Sequence, residues 1–472
     1  MIQGTAPHLA SGFPGTPSIR LRGLAPACWS IGPKSPTALW PATQMTELNP
    51  AAQGTALGRS ITCFRTTQEL GPQGSSVRSE VPLSCNACGS NDVHIFYRVR
   101  GVPAHSCLML SSREEALAFP KGDIELGFCR GCGFIGNVRF DAGLNRYSAA
   151  YEETQAYSPR FLQFLDEVWD DQIARFELGP RMTALEIGCG KGEFLVGLCE
   201  RSGCAGIGLD PGYRPERTRS SAADRITFIR DFYGPKYAHL HADYVCCRHT
   251  LEHIAPVLDF VRLVRATIGD RPHVNVFFEL PDMERVLEQG AFWDIYYEHC
   301  TYFTRGSLAR LFRSAGFDVH RLYKAYDDQY LMLEAQPTPH ATDALLPQEH
   351  DLGTISSLVG GFERHVSERL RSLSETLARH RAAGHRLAIW GSGSKCVALI
   401  SSLSLGPELV AVVDINPHKH GKYLAGSGLE IVPPDALRSL RPDVVLVMNS
   451  IYTDEIRHDL AARSLQPELI AL

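Results

Sequence analysis

Cys85 and Cys88 form one C-x-x-C turn and Cys129 and Cys132 a second, in the runs CNACG and CRGCG, with forty residues between them. Four thiolates delivered in pairs from two tight turns suit a tetrahedral zinc ion bound through sulfur at about 2.3 Å. With all four positions taken by cysteine, no place is left for water, so a zinc held there is structural. A second signal is LEIGCGKGEFL, which sets Glu186, Gly188, Gly190 and Gly192 around a turn, with Asp210 following 22 residues after Gly188. Glycines at such a turn let a nucleotide-type ligand approach the backbone, and the later acidic residue can accept both ribose hydroxyls. Two histidine-bearing segments follow: RHTLEHI, with His249, Glu252 and His253, and WDIYYEHCTYF, with Tyr296, Glu298 and His299. A base that removes a proton beside a ketone should be a near-neutral group oriented by a carboxylate or phenol, which is what His299 offers with Glu298 and Tyr296. H-x-x-E-H is also the spacing of an inverted zinc-protease motif. That reading needs a further ligand and leaves the glycine loop and the cysteine quartet unexplained.

These residues need a scaffold, and the hydrophobic pattern supplies one. Phe161, Phe164, Leu165 and Val168 recur at helical spacing and predict a helix over 158–176. MTALEI (182–187), AGIGLD (205–210), YVCCRHT (244–250) and HVNVFFEL (273–280) read as strands, with GEFLVGLCERSG as a helix after the first. That alternation predicts a parallel, doubly wound α/β sheet with the glycine turn at the carboxyl end of its first strand. After the linker QPTPHATDALLPQEHD comes a helical arm near 355–383. RLAIWGSGSK, ELVAVVDIN and DVVLVMNS then predict the strands of a second Rossmann-like unit. The glycine run Gly391 to Lys395, followed by Asp414, is a second candidate nucleotide loop or a loop that covers the site.

The predicted organisation has an N-terminal extension at 1–80, disordered or not native, and a zinc-binding module at 81–145. An α/β domain at 146–335, a linker and arm at 336–384, and a Rossmann-like domain at 385–472 follow. The first stretch is rich in Pro, Gly, Ser, Thr and Ala and has no acidic residue before Glu47, so it buries too little apolar surface to order itself. Of the 472 residues, 52 are acidic and 47 basic, a net charge of −5. Bulk attraction to nucleic acid or to anionic membrane is therefore not expected. No run approaches the roughly 20 apolar residues of a membrane span. Fourteen cysteines on so long a chain, without a credible signal peptide, fit a reducing cytoplasm.

E-x-G-x-G-x-G at Glu186 to Gly192 resembles motif I of class I S-adenosylmethionine (SAM) methyltransferases more than the dinucleotide pattern G-x-G-x-x-G. The cysteine quartet, LEIGCGKG, L-x-H-I at Leu251 to Ile254, IYYEHCTYF, VVDINPHKHGKYLAGSGLEI and NSIYTDEI together resemble the SAM-dependent C-methyltransferases of branched deoxysugar biosynthesis, over roughly residues 83–470. The resemblance implies an N-terminal zinc domain, a class I SAM domain and a C-terminal Rossmann-like domain. It also implies methylation at C3 of a small acceptor, a nucleotide-linked 4-ketohexose usually carried on dTDP, through an enolate. By motif, Asp231 would contact the adenine side of SAM, and His299, Glu298, Tyr296 and His253 would surround the sugar, with His299 the base. A tyrosine ahead of the SAM domain also contributes in that family, and YEETQAYS offers Tyr151 and Tyr157, Tyr151 being carried as the candidate. Glu252 and the run IWGSGSKC depart from the family pattern and bear on the acceptor more than on the reaction class. Methylation of another natural-product intermediate, or an inactive zinc-ribbon binding protein, are the alternatives.

Overall fold

The computed structural model describes residues 83–145, 150–340, 344–403, 405 and 408–472; the extension expected at 1–80 lies outside the described residues. Three strands come first: β1 (Val93–Pro103), β2 (Lys121–Cys129) and β3 (Ile135–Asn137). Next come β4 (Thr183–Ile187), β5 (Ala205–Leu209), β6 (Ile226–Ile229), β7 (Tyr244–Arg248) and β8 (Asn275–Pro281). β9 (Thr301–Tyr302), β10 (Phe317–Ala325) and β11 (Tyr330–Pro337) complete the central region. The last five are β12 (Leu387–Trp390), β13 (Leu409–Val413), β14 (Ile431–Val432), β15 (Val444–Val447) and β16 (Glu468–Ala471).

The central sheet has the order β10-β11-β8-β7-β4-β5-β6. Its β8-β7-β4-β5-β6 part is parallel, as the alternation predicted, but β11 runs antiparallel to β8 and β10 antiparallel to β11. The reason is local. β10 and β11 are joined by a turn in which Tyr326, Asp327 and Asp328 all take positive φ, and so short a connection can only reverse the chain. A second sheet, β14-β13-β12-β15-β16, is parallel throughout. The cysteine-bearing module forms a third, with β9 of the central region joined to β3.

The helix expected at 158–176 runs from Pro159 to Phe176 and is started by Ser158, whose hydroxyl accepts from the Phe161 amide at 3.2 Å. It lays Phe161, Phe164, Leu165, Val168 and Trp169 on the sheet. The arm is one helix of 31 residues, Leu352–Ala382, with Ile355, Val359, Phe362 and Val366 in a single buried stripe. That stripe belongs to an apolar core shared with Phe96, Tyr97 and Ile124 of the module and Ile389 and Leu446 of the second α/β sheet. A second core joins Cys129 and Phe134 of the module to Leu185, Val245 and Phe278 of the central sheet; together the two cores fix the three sheets against each other, and the face they enclose is the cavity described next.

Candidate active site

One cavity of about 1290 Å³ is walled by all three parts of the chain. Pockets for a single drug-sized molecule span roughly 300–1,000 Å³, so this one has room for a donor and an acceptor together.

The first wall is the turn after β4. Gly188 and Gly190 take φ of 72° and 54°, left-handed values that a side chain disfavours. A Cβ on Gly188 would stand 2.1 Å from Thr250 Oγ1, and one on Gly190 2.8 Å from Glu153 Oε1. The bare backbone is what leaves room for a ligand there, and these residues fit the SAM turn that motif I implies. Gly192 does not line the cavity: it starts the helix Glu193–Ser202, and Phe228 lies 2.6 Å from where its Cβ would be. Glu186 is buried, accepts from the Leu195 amide at 3.2 Å, and is pushed up to about 8 by burial. Asp210, at the end of β5, accepts from the Gly190 and Gly212 amides at 3.0 and 2.6 Å and is pushed up to about 6 by its burial. Asp231 also borders the cavity, though it is engaged by the Tyr237 hydroxyl at 2.6 Å and ion-paired with Lys236. Sequence reasoning passed over Lys191 between the glycines, whose ammonium donates to Glu153 and to the Tyr151 carbonyl at 2.8 to 3.0 Å.

The second wall carries the histidines. His299 sits between Tyr296, ring centroids 4.2 Å apart, and His253, 4.8 Å and nearly perpendicular. Burial and the neighbouring His253 push His299 down to about 3, so its imidazole is neutral and keeps a lone pair. His253 Nδ1 donates to the Glu298 carbonyl at 3.0 Å. Burial pushes the Tyr296 phenol far up, which keeps it a hydrogen-bond donor. Of the two candidate tyrosines, Tyr151 is buried with its ring edge on His105, whereas Tyr157 is 37% exposed and beside His418.

Glu298 departs from expectation. In place of orienting the His299 ring or facing the cavity, its fully buried carboxylate accepts from His105 Nδ1 at 2.6 Å, from Ser106 Oγ, and from Ser394 Oγ at 3.1 Å. Burial alone would raise this carboxyl; His105, His253 and Ser106 outweigh it and hold it at about 2. The carboxylate therefore ties the module and the C-terminal glycine loop to the histidine segment.

RHTLEHI does not form the helical face of a protease motif. His249 leaves β7 with a φ of 45°, and only a short 3-10 turn, Leu251–His253, follows. His249 Nε2 instead bonds Glu279 Oε1 at 2.8 Å.

The third wall is C-terminal. In the run Gly391 to Lys395, Lys395 Nζ contacts Asp294 Oδ1 at 3.0 Å and Gln329 Oε1 at 3.2 Å. Burial pushes that amine down, with Asp294 opposing. Asp414 accepts from the Ser392 amide and hydroxyl, the Asn416 amide and the Lys419 amine at 2.6 to 3.1 Å. Its carboxylate is thus engaged by Ser392 of this run and by Asn416 and Lys419, while Gly391, Gly393, Ser394 and Lys395 line the cavity. Lys395 was legible as the end of a glycine run, but Asp294, Gln329 and His105 carry no local signal.

The cysteine quartet lies away from this cavity. Cys85 Sγ is 3.6 Å from Cys132 Sγ and Cys88 Sγ 3.6 Å from Cys129 Sγ, with all four within 4.8 Å of one another. Sulfurs at about 2.3 Å from a tetrahedral zinc stand roughly 3.8 Å apart, so the four residues fit that ion.

Comparison with known proteins matches residues 161–322 to a family profile described as a methyltransferase domain. Residues 329–467 match one described as a C-methyltransferase C-terminal domain. The chain is 25% identical over 389 residues to the C-methyltransferase NovU of Streptomyces niveus, spanning 79% of this chain and 90% of that protein. Among solved structures, the N,N-8-amino-8-demethyl-D-riboflavin dimethyltransferase of Streptomyces davawensis is 21% identical with a TM-score of 0.30, over 38% of this chain and 56% of its own. The magnesium protoporphyrin IX methyltransferase of Synechocystis PCC 6803 is 17% identical with a TM-score of 0.30, over 38% of this chain and 84% of its own.

Proposed function

We propose that this chain, with its methyltransferase-domain match over 161–322 and its C-methyltransferase C-terminal match over 329–467, is a SAM-dependent C-methyltransferase that methylates C3 of a nucleotide-linked 4-keto-deoxysugar, carried on dTDP, through an enolate. The observation that supports this reading is His299, 4.2 Å ring to ring from Tyr296, on the wall of the same cavity as the glycine turn. SAM, when bound, supplies an electrophilic methyl group to the carbon nucleophile. The protein's share is to orient two ligands and move one proton. Gly188, Gly190, Glu186 and Asp210 hold the donor, with Gly192 starting the helix behind them and Asp231 at the adenine side. His299 takes the C3 proton while the C–H electron pair moves toward the ketone oxygen, and the protonated Tyr296 phenol donates to the enolate oxygen that forms. His253 and Tyr151 border the sugar. Glu298 acts as a positioning residue that anchors the histidine segment.

The same reading divides the chain into a zinc-binding module (81–145), a SAM domain (146–335), a linker and arm (336–384) and a C-terminal Rossmann-like domain (385–472). It assigns a structural zinc to Cys85, Cys88, Cys129 and Cys132, and a cytoplasmic setting. Among the described residues no helix is long and apolar enough to cross a membrane.

The test is incubation with SAM and dTDP-4-keto sugars in heavy water. The expected result is deuterium at C3 and a new carbon–methyl bond there, both falling about 10²- to 10⁴-fold in His299→Asn. Methyl transfer to oxygen without exchange overturns the enolate mechanism. SAM binding with no exchange on any such sugar moves the acceptor to another natural-product intermediate.

A further inference from the structure

Glu252 is a buried carboxylate for which methyl transfer has no use. It is 2% exposed, and neither of its oxygens accepts a hydrogen bond from a described residue; its one ion pair among those residues is with His249 Nδ1, 3.5 Å from Oε1, and Oε2 is left without a partner there. Leaving a carboxylate so poorly solvated is costly unless something else meets it. What it faces is the histidine pair: ligating atoms of Glu252, His253 and His299 all lie within 4.8 Å of one another.

The two imidazoles are prepared as ligands. His253 Nδ1 bonds a backbone carbonyl at 3.0 Å, and a carbonyl can only accept, so Nδ1 carries the hydrogen and Nε2 keeps its lone pair. A histidine that donates its far N–H to a carbonyl is the usual outer support of a metal ligand. No hydrogen bond from a described residue reaches the His299 ring. All three side chains border the cavity, so a metal held by them would keep coordination positions open toward it, as in catalytic rather than structural sites.

We propose that Glu252, His253 and His299 form a second metal site, separate from the cysteine quartet, for a divalent first-row transition cation. Two imidazoles and one carboxylate suit zinc, cobalt, nickel, manganese or ferrous iron, and disfavour magnesium and calcium, which seek oxygen donors. His249 retains Glu279 when Glu252 turns to the cation. The site also has a consequence for the reaction, and this part rests on the reading of His299 as the base. The lone pair that would take the C3 proton is the one the metal coordinates, so an occupied site blocks proton abstraction.

The test titrates the full-length protein with Co²⁺ in the absence of acceptor. A cobalt ion at this site is expected to give visible d–d bands without thiolate-to-cobalt charge transfer, and its affinity is expected to fall at least 10-fold in both Glu252→Gln and His253→Gln. A SAM titration shows which variant is folded, and either one suffices. Thiolate bands alone, or an affinity unchanged in a folded variant, overturns the site. This readout uses no turnover, so failure of the keto-sugar reading leaves it intact. The blocking claim is read separately, as loss of C3 exchange in proportion to cobalt bound; exchange that persists at full occupancy overturns it.

Discussion

Replacing Glu298 with Gln tests whether this carboxylate is a structural anchor. In the folded protein the Glu298 carboxyl stands at about 2 against an ordinary 4.5, and it is fully buried. A difference of that size favours the ionised native form by about 3 kcal/mol. The folded value is depressed, so the contribution is complete above pH 4.5 and is lost as the pH falls through the window from 4.5 to about 2. Glu298→Gln also turns an amide N–H₂ toward donors, His105, Ser106 and Ser394, that need an acceptor. The expected result is a deficit near 3 kcal/mol at pH 7 in denaturant unfolding, shrinking to less than half by about pH 3, where the wild-type carboxyl has itself lost most of that advantage. Unfolding is followed by tryptophan fluorescence and by circular dichroism, because a chain with three sheets need not unfold in one step. A deficit below about 1 kcal/mol at pH 7, or one that stays constant down to pH 3, refutes the assignment of this charge as a buried anchor.

Burial and His253 hold His299 at about 3, so the base is already deprotonated across the working range. The pH profile of kcat/KM should therefore show no fall between pH 7 and 5 attributable to the base, and a limb near 6.5 would contradict that environment. Gly188→Ala puts a methyl group 2.1 Å from Thr250 Oγ1 at a φ of 72°. About 1–2 kcal/mol of backbone strain plus overpacking should weaken SAM binding at least 10-fold by calorimetry, and an unchanged affinity would place the donor elsewhere. Cys132→Ser should remove one equivalent of zinc by elemental analysis and lower the melting temperature, since Cys132 packs with Phe134, Phe303 and Leu308 in one core. Zinc content equal to wild type would exclude the quartet as its site.

Much of the scaffold was written locally. Short apolar runs mark the strands around 183–187, 205–209, 244–248 and 275–281, which are buried along most of their length, and period-3.6 patterns mark both long helices, because such patterns follow from which faces each segment buries. The hairpin of β10 and β11 escaped them, since its direction depends on the turn at Tyr326 to Asp328 and not on hydrophobic spacing. The cysteine quartet and the glycine turn were readable because their chemistry sits within a few residues of one chain segment. Glu298 and His299 were readable as residue types in one short run, but not their partners. His105 and Ser106 lie 193 and 192 positions from Glu298, and Ser394 lies 96 away. Whether Glu298 turns toward His299 or toward those groups, and whether Glu252 comes to face His299, depends on how the module, the central sheet and the C-terminal sheet dock. That docking is driven by burial in shared apolar cores, which is non-directional and leaves no trace in local spacing. The sequence by itself thus set the chemical groups and the elements that carry them. Only the packing of distant elements decided which groups meet, because contact between residues so far apart is a property of the assembled fold.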